Sequence, residues 1–326
     1  MHCVIVGFSS TERKGAAVLY NGERMQKVQN INAYLLNAPD IFIDNRSKPL
    51  YDVPEMTNGN KPTDGGFLLL SPEEKDEIIK CEPGTEKYIK RLYGAVEYIN
   101  NKDRYCIWLN GVEPSEYRKY SLIMDRISKV KEFRLASPKE ATVKSAEFPM
   151  LFQQIRQPES NYIIVPRVSS ENRRYIPIGF MTPNIIVTDS VQFIPNADLY
   201  EFGILTSNVH MAWVRAICGR LKSDYRYSAK IVYNNFPWPE NSGDVRIEIE
   251  RTAKMIMDAR TKYPNSSLAD LYDDLTMPPE LRKAHNENDK AVLRAYGFKP
   301  GTPEFASESA CVAALMRMYQ EKVSQK

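Results

Sequence analysis

Clustered cysteine, glycine-rich loops, long apolar runs and histidine are what this 326-residue sequence has little of. Each shortage removes a class of function. The three histidines are His2, His210 and His285, and a nucleophile–histidine site needs one beside its nucleophile. His210 follows Ser207 closely, but Ser207 stands where a helix would begin and reads as its cap. His285 and Asp289 are one helical turn apart, as metal ligands can be, yet no third ligand is in reach and a surface pair is the plainer reading. The cysteines Cys3, Cys81, Cys106, Cys218 and Cys311 are scattered with no Cys-x-x-Cys. They read as reduced core thiols of a cytoplasmic protein, not as a zinc site or a disulfide framework. There is no Gly-x-Gly-x-x-Gly and no Walker loop, hence no phosphate cradle. No apolar run approaches the ~20 residues of a membrane span, so no membrane partner is expected. Val4-Ile5-Val6-Gly7-Phe8 is apolar but short, with no basic region before it, and reads as a buried strand. A nuclease pattern can be traced through Pro39-Asp40 and Glu73-Glu74-Lys75, but a helix-capping box accounts for its second half.

What is present suits a globular chain of at least two domains. The hydrophobic fraction is 43% and the charged fraction 26%, enough for a sizeable core. The net charge of +3 is small but unevenly placed. Residues 205–239 carry Arg215, Arg220, Lys222, Arg226 and Lys230 against one acid, Asp224. After residue 240 acids and bases nearly cancel. A local basic excess points to nucleic acid better than the whole-chain charge does.

Turn signals and periodicity divide the chain. Residues 16–20 and 23–28 read as a hairpin about Asn21-Gly22. The run from Asn58 to Gly66 has no regular pattern and marks a boundary. Ser71-Pro72-Glu73-Glu74 opens a helix, with Ser71 as cap and Glu74 completing the box. A second helix is expected over 85–99, a strand over 104–109, and a long helical stretch over 114–135 with Tyr117, Tyr120, Ile123, Ile127 and Val130 at helical spacing. Residues 161–193 break into short β-branched runs separated by prolines, which predicts a sheet. Helix returns over 199–221. Beyond Pro237-Trp238-Pro239 the pattern is helical over 245–262, 279–296 and 305–322. The fold class expected is α+β: a mixed-sheet domain with packed helices, then an all-helical C-terminal unit.

Two stretches mix cations with hydroxyls and amides. One runs through Arg220, Lys222, Tyr225, Arg226, Tyr227, Ser228 and Lys230 to Asn234 and Asn235. The other is the loop with Arg167, Ser169, Ser170, Arg173 and Arg174. Arg and Lys neutralise phosphates, Tyr and Ser donate to them, and Arg or Asn pairs with base edges. A solvated polar surface would look the same from sequence, and both readings stand at this point. On the DNA reading, Arg173 or Arg174 selects the base and Lys222 or Arg226 supplies grip.

The block from Leu205-Thr206-Ser207 through His210-Met211-Ala212-Trp213, Gly219-Arg220-Leu221 and Tyr227-Ser228 to Tyr233-Asn234-Asn235-Phe236-Pro237-Trp238-Pro239 resembles the MmeI-like restriction–modification enzymes. So do Ser47-Lys48-Pro49-Leu50, residues 60–66, Arg104-Tyr105-Cys106-Ile107-Trp108-Leu109, Ser267-Leu268-Ala269-Asp270-Leu271-Tyr272, Met277-Pro278-Pro279 and Ala284-His285. Those enzymes join a nuclease, an adenine-N6 methyltransferase and a target-recognition domain. The Asn-Pro-Pro-Tyr motif and the S-adenosylmethionine loop have no counterpart here. The resemblance therefore implies a chain divided as 1–58 (end of the methyltransferase domain and linker), 59–239 (DNA target recognition) and 240–326 (helical unit). It implies double-stranded DNA and the rest of the methyltransferase as partners, with no catalytic, cofactor or metal residues in this chain and no activity of its own. S-adenosylmethionine and magnesium are expected for the complete enzyme, a site-specific adenine methyltransferase with endonuclease. The competing expectation is an interaction scaffold or specificity subunit that docks on a separate methyltransferase.

Overall fold

The computed structural model describes residues 4–11, 15–21, 24–240 and 243–325. Residues 4–8, expected as a buried strand, are exposed and unpaired. An apolar strand needs a sheet to enter, and none lies beside this segment among the described residues. The hairpin forms from β1 (Ala17–Asn21) and β2 (Arg24–Val28), with Asn21 paired to Arg24. The turn expected at Asn21-Gly22 includes Gly22, which lies outside the described residues.

The boundary expected after Asn58 is in part sheet. Thr57–Asn58 is strand β3, and Asn60 and Lys61 form bridges to Thr188 and Gln154. Next come β4 (Leu69–Leu70) and α1 (Pro72–Cys81), whose capping box between Ser71 and Glu74 forms as the sequence predicts. The helix expected over 85–99 is instead strand β5 (Ile89–Tyr93) followed by the short helix α2 (Ala95–Asn100). Strand β6 (Tyr105–Ile107) pairs antiparallel with both β5 and β4. Pairing on two sides outweighs the helical spacing of residues 85–99. Gly94 makes the switch possible, because a side chain there would meet Ser190 Oγ at 2.6 Å.

The long helical stretch divides into α3 (Pro114–Tyr117) and α4 (Ser121–Leu135), and α5 (Glu140–Lys144) follows. Ile123, Ile127 and Val130 of α4 cover Leu68, Leu70, Leu92 and Ile107 of the sheet. Arg134 at the end of α4 is fully buried. Its guanidinium donates to the carbonyls of Pro62, Thr63, Ser145, Phe148 and Leu151 at 2.7–3.0 Å. Five donors in a fixed fork satisfy five carbonyls that turn inward where irregular chain crosses the helix.

The predicted sheet of residues 161–193 is divided among three sheets. Strands β7 (Tyr162–Pro166), β9 (Gly179–Met181) and β11 (Val191–Pro195) join β3 in the order β3-β11-β7-β9. Strand β8 (Val168–Ser169) leaves this sheet, and β10 (Ile186–Val187) runs parallel to β5 in the first one. Helix α6 (Leu199–Leu205) stops at Thr206, whose hydroxyl bonds back to Phe202 O, and α7 (Asn208–Ile217) starts with Ser207 as cap. Residues 219–221, expected as helix, form the hairpin β12 (Gly219–Leu221) and β13 (Asp224–Arg226), and β13 pairs with β8.

The C-terminal helices are α8 (Gly243–Thr261), α9 (Leu268–Leu271), α10 (Pro279–Ala295), α11 (Pro303–Ala306) and α12 (Glu308–Ser324). Ile249, Ala253 and Ile256 of α8, and Val312, Leu315, Met316 and Tyr319 of α12, are buried as their spacing predicts. They join one core with Phe202, Trp213, Tyr233 and Phe236. Gly203 lets α6 and α8 approach, since a Cβ there would meet Ile249 Cγ2 at 2.6 Å. The fold is thus α+β with a helical C-terminal region. Among the described residues no helix is long and apolar enough to cross a membrane.

Candidate nucleic-acid interface

Three short pieces of chain meet where β8 leaves its sheet. Arg167, between β7 and β8, is fixed by its backbone N–H on Ser190 O at 3.1 Å and by Nη1 on Asp189 O at 2.9 Å. The β12–β13 hairpin joins it through the N–H of Tyr227, 2.8 Å from Arg167 O. Residues 229–233 then form a single π-turn, a geometry that recurs at functional sites. The wide turn is held by donors to its carbonyls: Trp213 Nε1 to Val232 O at 3.1 Å, and Asn235 Nδ2 to Lys230 O and Ile231 O at 2.9 and 3.0 Å.

These pieces enclose a cleft of about 520 Å³ lined by Ser47, Asn58, Arg167, Gln192, Arg226, Ser228 and Lys230, among others. Its described lining holds three cations and no acid. A second cleft, about 640 Å³, lies between residues 49–53, Tyr200–Glu201, Trp238 and Lys322. There Asp52, Glu201 and Glu240 face one lysine, which suits phosphate poorly.

The sequence-predicted residues separate by burial. Arg220, Lys222, Arg226 and Lys230 are exposed, and Arg167, Ser170, Arg173 and Ser228 are half-buried near them. Arg220 folds back over the Tyr225 ring, 4.1 Å from its centroid, and donates to Ser223 O. Arg173 faces Asp224 and Asp273, and burial lowers its guanidinium pKa. Lys222 forms the hairpin tip at φ 56°.

Ser169, Tyr225, Tyr227, Asn234 and Asn235, expected to touch DNA, are all buried, though Tyr227 and Asn234 still line the cleft. Ser169 and Tyr225 are opposite one another in the β8–β13 pair. Tyr227 shares a 2.9 Å hydrogen bond with His210 Nε2. Asn234 donates to Arg46 O at 2.8 Å, and Asn235 to Asp44 O at 2.9 Å. Their polar groups hold inward-turning backbone, which sequence cannot distinguish from an outward-facing amide. Arg174 also departs from expectation: it lies over the Tyr175 ring and 3.6 Å from Asp289 of α10, facing the helical unit.

Ser47, Asn58 and Gln192 line the cleft and were missed. Gln192 donates to Asn58 Oδ1 at 3.1 Å, while its own Oε1 is buried without a partner among the described residues. A glutamine inside the apolar run Val191-Gln192-Phe193-Ile194 was the signal available.

The two histidines among the described residues, His210 and His285, are structural. His210 is buried, with its pKa lowered to about 3 by loss of solvent. Ser207 accepts from its backbone N–H. His285 and Asp289 are buried rather than a surface pair, bonded to Tyr272 and Tyr175 respectively. Among the described residues no group of three His, Cys, Asp or Glu could hold a metal ion. Cys81, Cys106, Cys218 and Cys311 are free thiols, and Cys3 lies outside the described residues.

Small antiparallel sheets raise a cation-lined cleft and are backed by packed helices, the form of a binding module. The sequence profile of the MmeI target recognition domain matches residues 37–240, and that of the MmeI C-terminal domain matches residues 243–325. The chain belongs to the MmeI family and comprises these two domains. It is 40% identical over 318 residues to DNA methyltransferase A of Bacillus subtilis (strain 168), covering 98% of this chain and 36% of that protein. It also superposes on the type IIL restriction-modification enzyme MmeI, solved in complex with DNA, with a TM-score of 0.90 and 45% identity, over 96% of this chain and 42% of that one. The chain thus spans well under half the length of either relative.

Proposed function

We propose that this chain binds double-stranded DNA and recognises a target sequence in it, as the target-recognition part of a larger restriction–modification adenine-N6 methyltransferase. The observation that carries the reading is the cleft with Arg167, Arg226 and Lys230 and no acid among its described lining residues. Cations on short, well-fixed turns release counterions from phosphate and set the register in which nearby side chains meet base edges. The solved MmeI complex with DNA supports the same reading. On this account Lys222, Arg226 and Lys230 grip the backbone, and Arg167, Ser170, Arg173 and Ser228 lie closer to the bases. S-adenosylmethionine and magnesium belong to the methyltransferase and nuclease parts, which would act on an adenine turned out of the duplex. A cytoplasmic setting accords with the free thiols.

A docking role is compatible. Ile5 and Phe8 are 94% and 95% exposed, an unusual display of apolar surface that favours contact with the remainder of the enzyme.

Single substitutions test the assignment. Arg226→Ala and Lys230→Ala should each weaken binding to all duplex sequences alike and lower the salt slope by about one. The check is a salt titration of each variant on duplexes of differing sequence. If either variant changes sequence preference while the salt slope stays put, that residue reads bases and the division of labour is wrong.

A further inference from the structure

The loop after β8 meets the C-terminal helices at a buried carboxylate. Asp289 of α10 is 4% exposed. Its Oδ2 accepts from the Tyr175 hydroxyl at 2.7 Å and lies 3.6 Å from Arg174 Nη2. Its Oδ1 accepts from the backbone N–H of Asn208, the first residue of α7, at 2.7 Å. The Tyr175 ring stacks on His285 with centroids 4.1 Å apart, and His285 Nε2 is 2.8 Å from the Tyr272 hydroxyl. On its other side the same loop is tied to the hairpin, by the Glu171 N–H on Asp224 Oδ1 at 3.2 Å and by the Ser169–Tyr225 pair. The loop is therefore a strap between the helix that carries Asp289 and the hairpin that carries Arg220, Lys222 and Arg226.

A buried carboxylate is a costly choice for this place. Burial pushes Asp289 up to about 6, against the opposing pull of Tyr175, the Asn208 N–H, Arg174 and Arg215. An amide of the same shape would fill the site without the desolvation of a charge. What the carboxylate adds is the capacity to accept from two elements at once while attracting a guanidinium. The amino end of α7 favours the same charge.

We infer that Asp289 is a positioning residue for DNA binding: from the C-terminal helical unit it holds Arg174, Tyr175 and the start of α7, and so sets how the 169–175 loop and the β12–β13 hairpin face the duplex. The inference rests on the reading that these two segments form the DNA interface. It gives the C-terminal unit a part in recognition without a base contact of its own.

The test is Asp289→Asn in the full 326-residue chain, with three readouts: thermal melting, hydrogen exchange across residues 169–175, and binding of a labelled random-sequence duplex. The expected result is an unchanged or raised melting temperature, faster exchange in the loop, and duplex affinity lower by about tenfold. Arg174→Gln should add little to this loss in the Asp289→Asn background. A lowered melting temperature with unchanged loop exchange, or unchanged duplex affinity in a wild-type chain that binds, would overturn the inference. If the wild-type chain binds no duplex, the DNA reading fails by itself. Loop exchange then decides whether Asp289 positions the loop: faster exchange upholds that placement and unchanged exchange refutes it.

Discussion

Lys222 holds a positive φ of 56° at the tip of the β12–β13 hairpin, in place of the glycine that would relax there. Left-handed backbone costs an L-residue roughly 1–2 kcal/mol, and such strain persists most often where a side chain has work to do. Lys222→Gly should therefore raise the stability of the hairpin while weakening duplex binding. Hydrogen exchange at the hairpin and a DNA titration would check the pair of effects; a variant that binds as well as the parent would remove Lys222 from the interface. The buried histidines give a pH dependence. His210 and His285 are both held below the ordinary histidine value of 6.5 by burial. The unfolded chain then takes up protons the folded chain refuses, so their contribution is complete above about pH 6.5 and lost as pH falls below it. Asp289 acts in the opposite sense, its raised pKa adding stability as pH falls through about 6. Glu201, also raised by burial, acts with Asp289, but the two histidines refuse protons over the whole range below 6.5 and leave a net loss. Thermal melts should fall between about pH 7 and pH 5, and His210→Gln should flatten the slope. An unchanged slope in that variant would place the pH dependence elsewhere.

At the scale of elements, the helices of the C-terminal part and single strands such as the 17–28 hairpin and β6 were legible, and which strands pair into which sheet was not. Ile249, Ala253, Ile256, Val312, Leu315 and Met316 lie on the faces their spacing predicts, because each helix buries one stripe. The strands are two to five residues long, too short for alternation to register. Residues 89–93 became β5 through pairing with β6 and with β10, the latter far away in sequence. The candidate interface was half legible. Arg167, Arg226 and Lys230 announce themselves by charge, but Asn234 and Asn235 look alike in sequence whether they face solvent or hold Arg46 O and Asp44 O. The shared core also yields a prediction. Removing residues 241–326 would uncover Gly203, where α8 packs, and Trp213, whose ring lies 6.3 Å from that of Tyr319. The shortened chain should be insoluble or strongly destabilised. Soluble yield and thermal melting decide this; a soluble chain with an unchanged melt would mean the helical unit contributes nothing to the recognition fold.

Over the whole molecule, the charge of +3 conceals a division of surfaces. The cleft between the sheets gathers cations, and the helical unit keeps its acids and bases in local pairs such as Arg246–Glu250, Arg251–Glu248 and Lys254–Asp258. Pairs of that kind leave little field for phosphate, whereas unpaired cations lining one cleft do. The helices support and orient, and the loops make contact. Binding of the intact chain to duplex DNA across a salt series tests this most directly. The account predicts binding at low salt and a linear fall of log affinity with log salt, with a slope of about −2.7 or steeper from Lys222, Arg226 and Lys230, the three cations assigned to phosphate. Absence of binding at low salt, or affinity indifferent to salt, would contradict it.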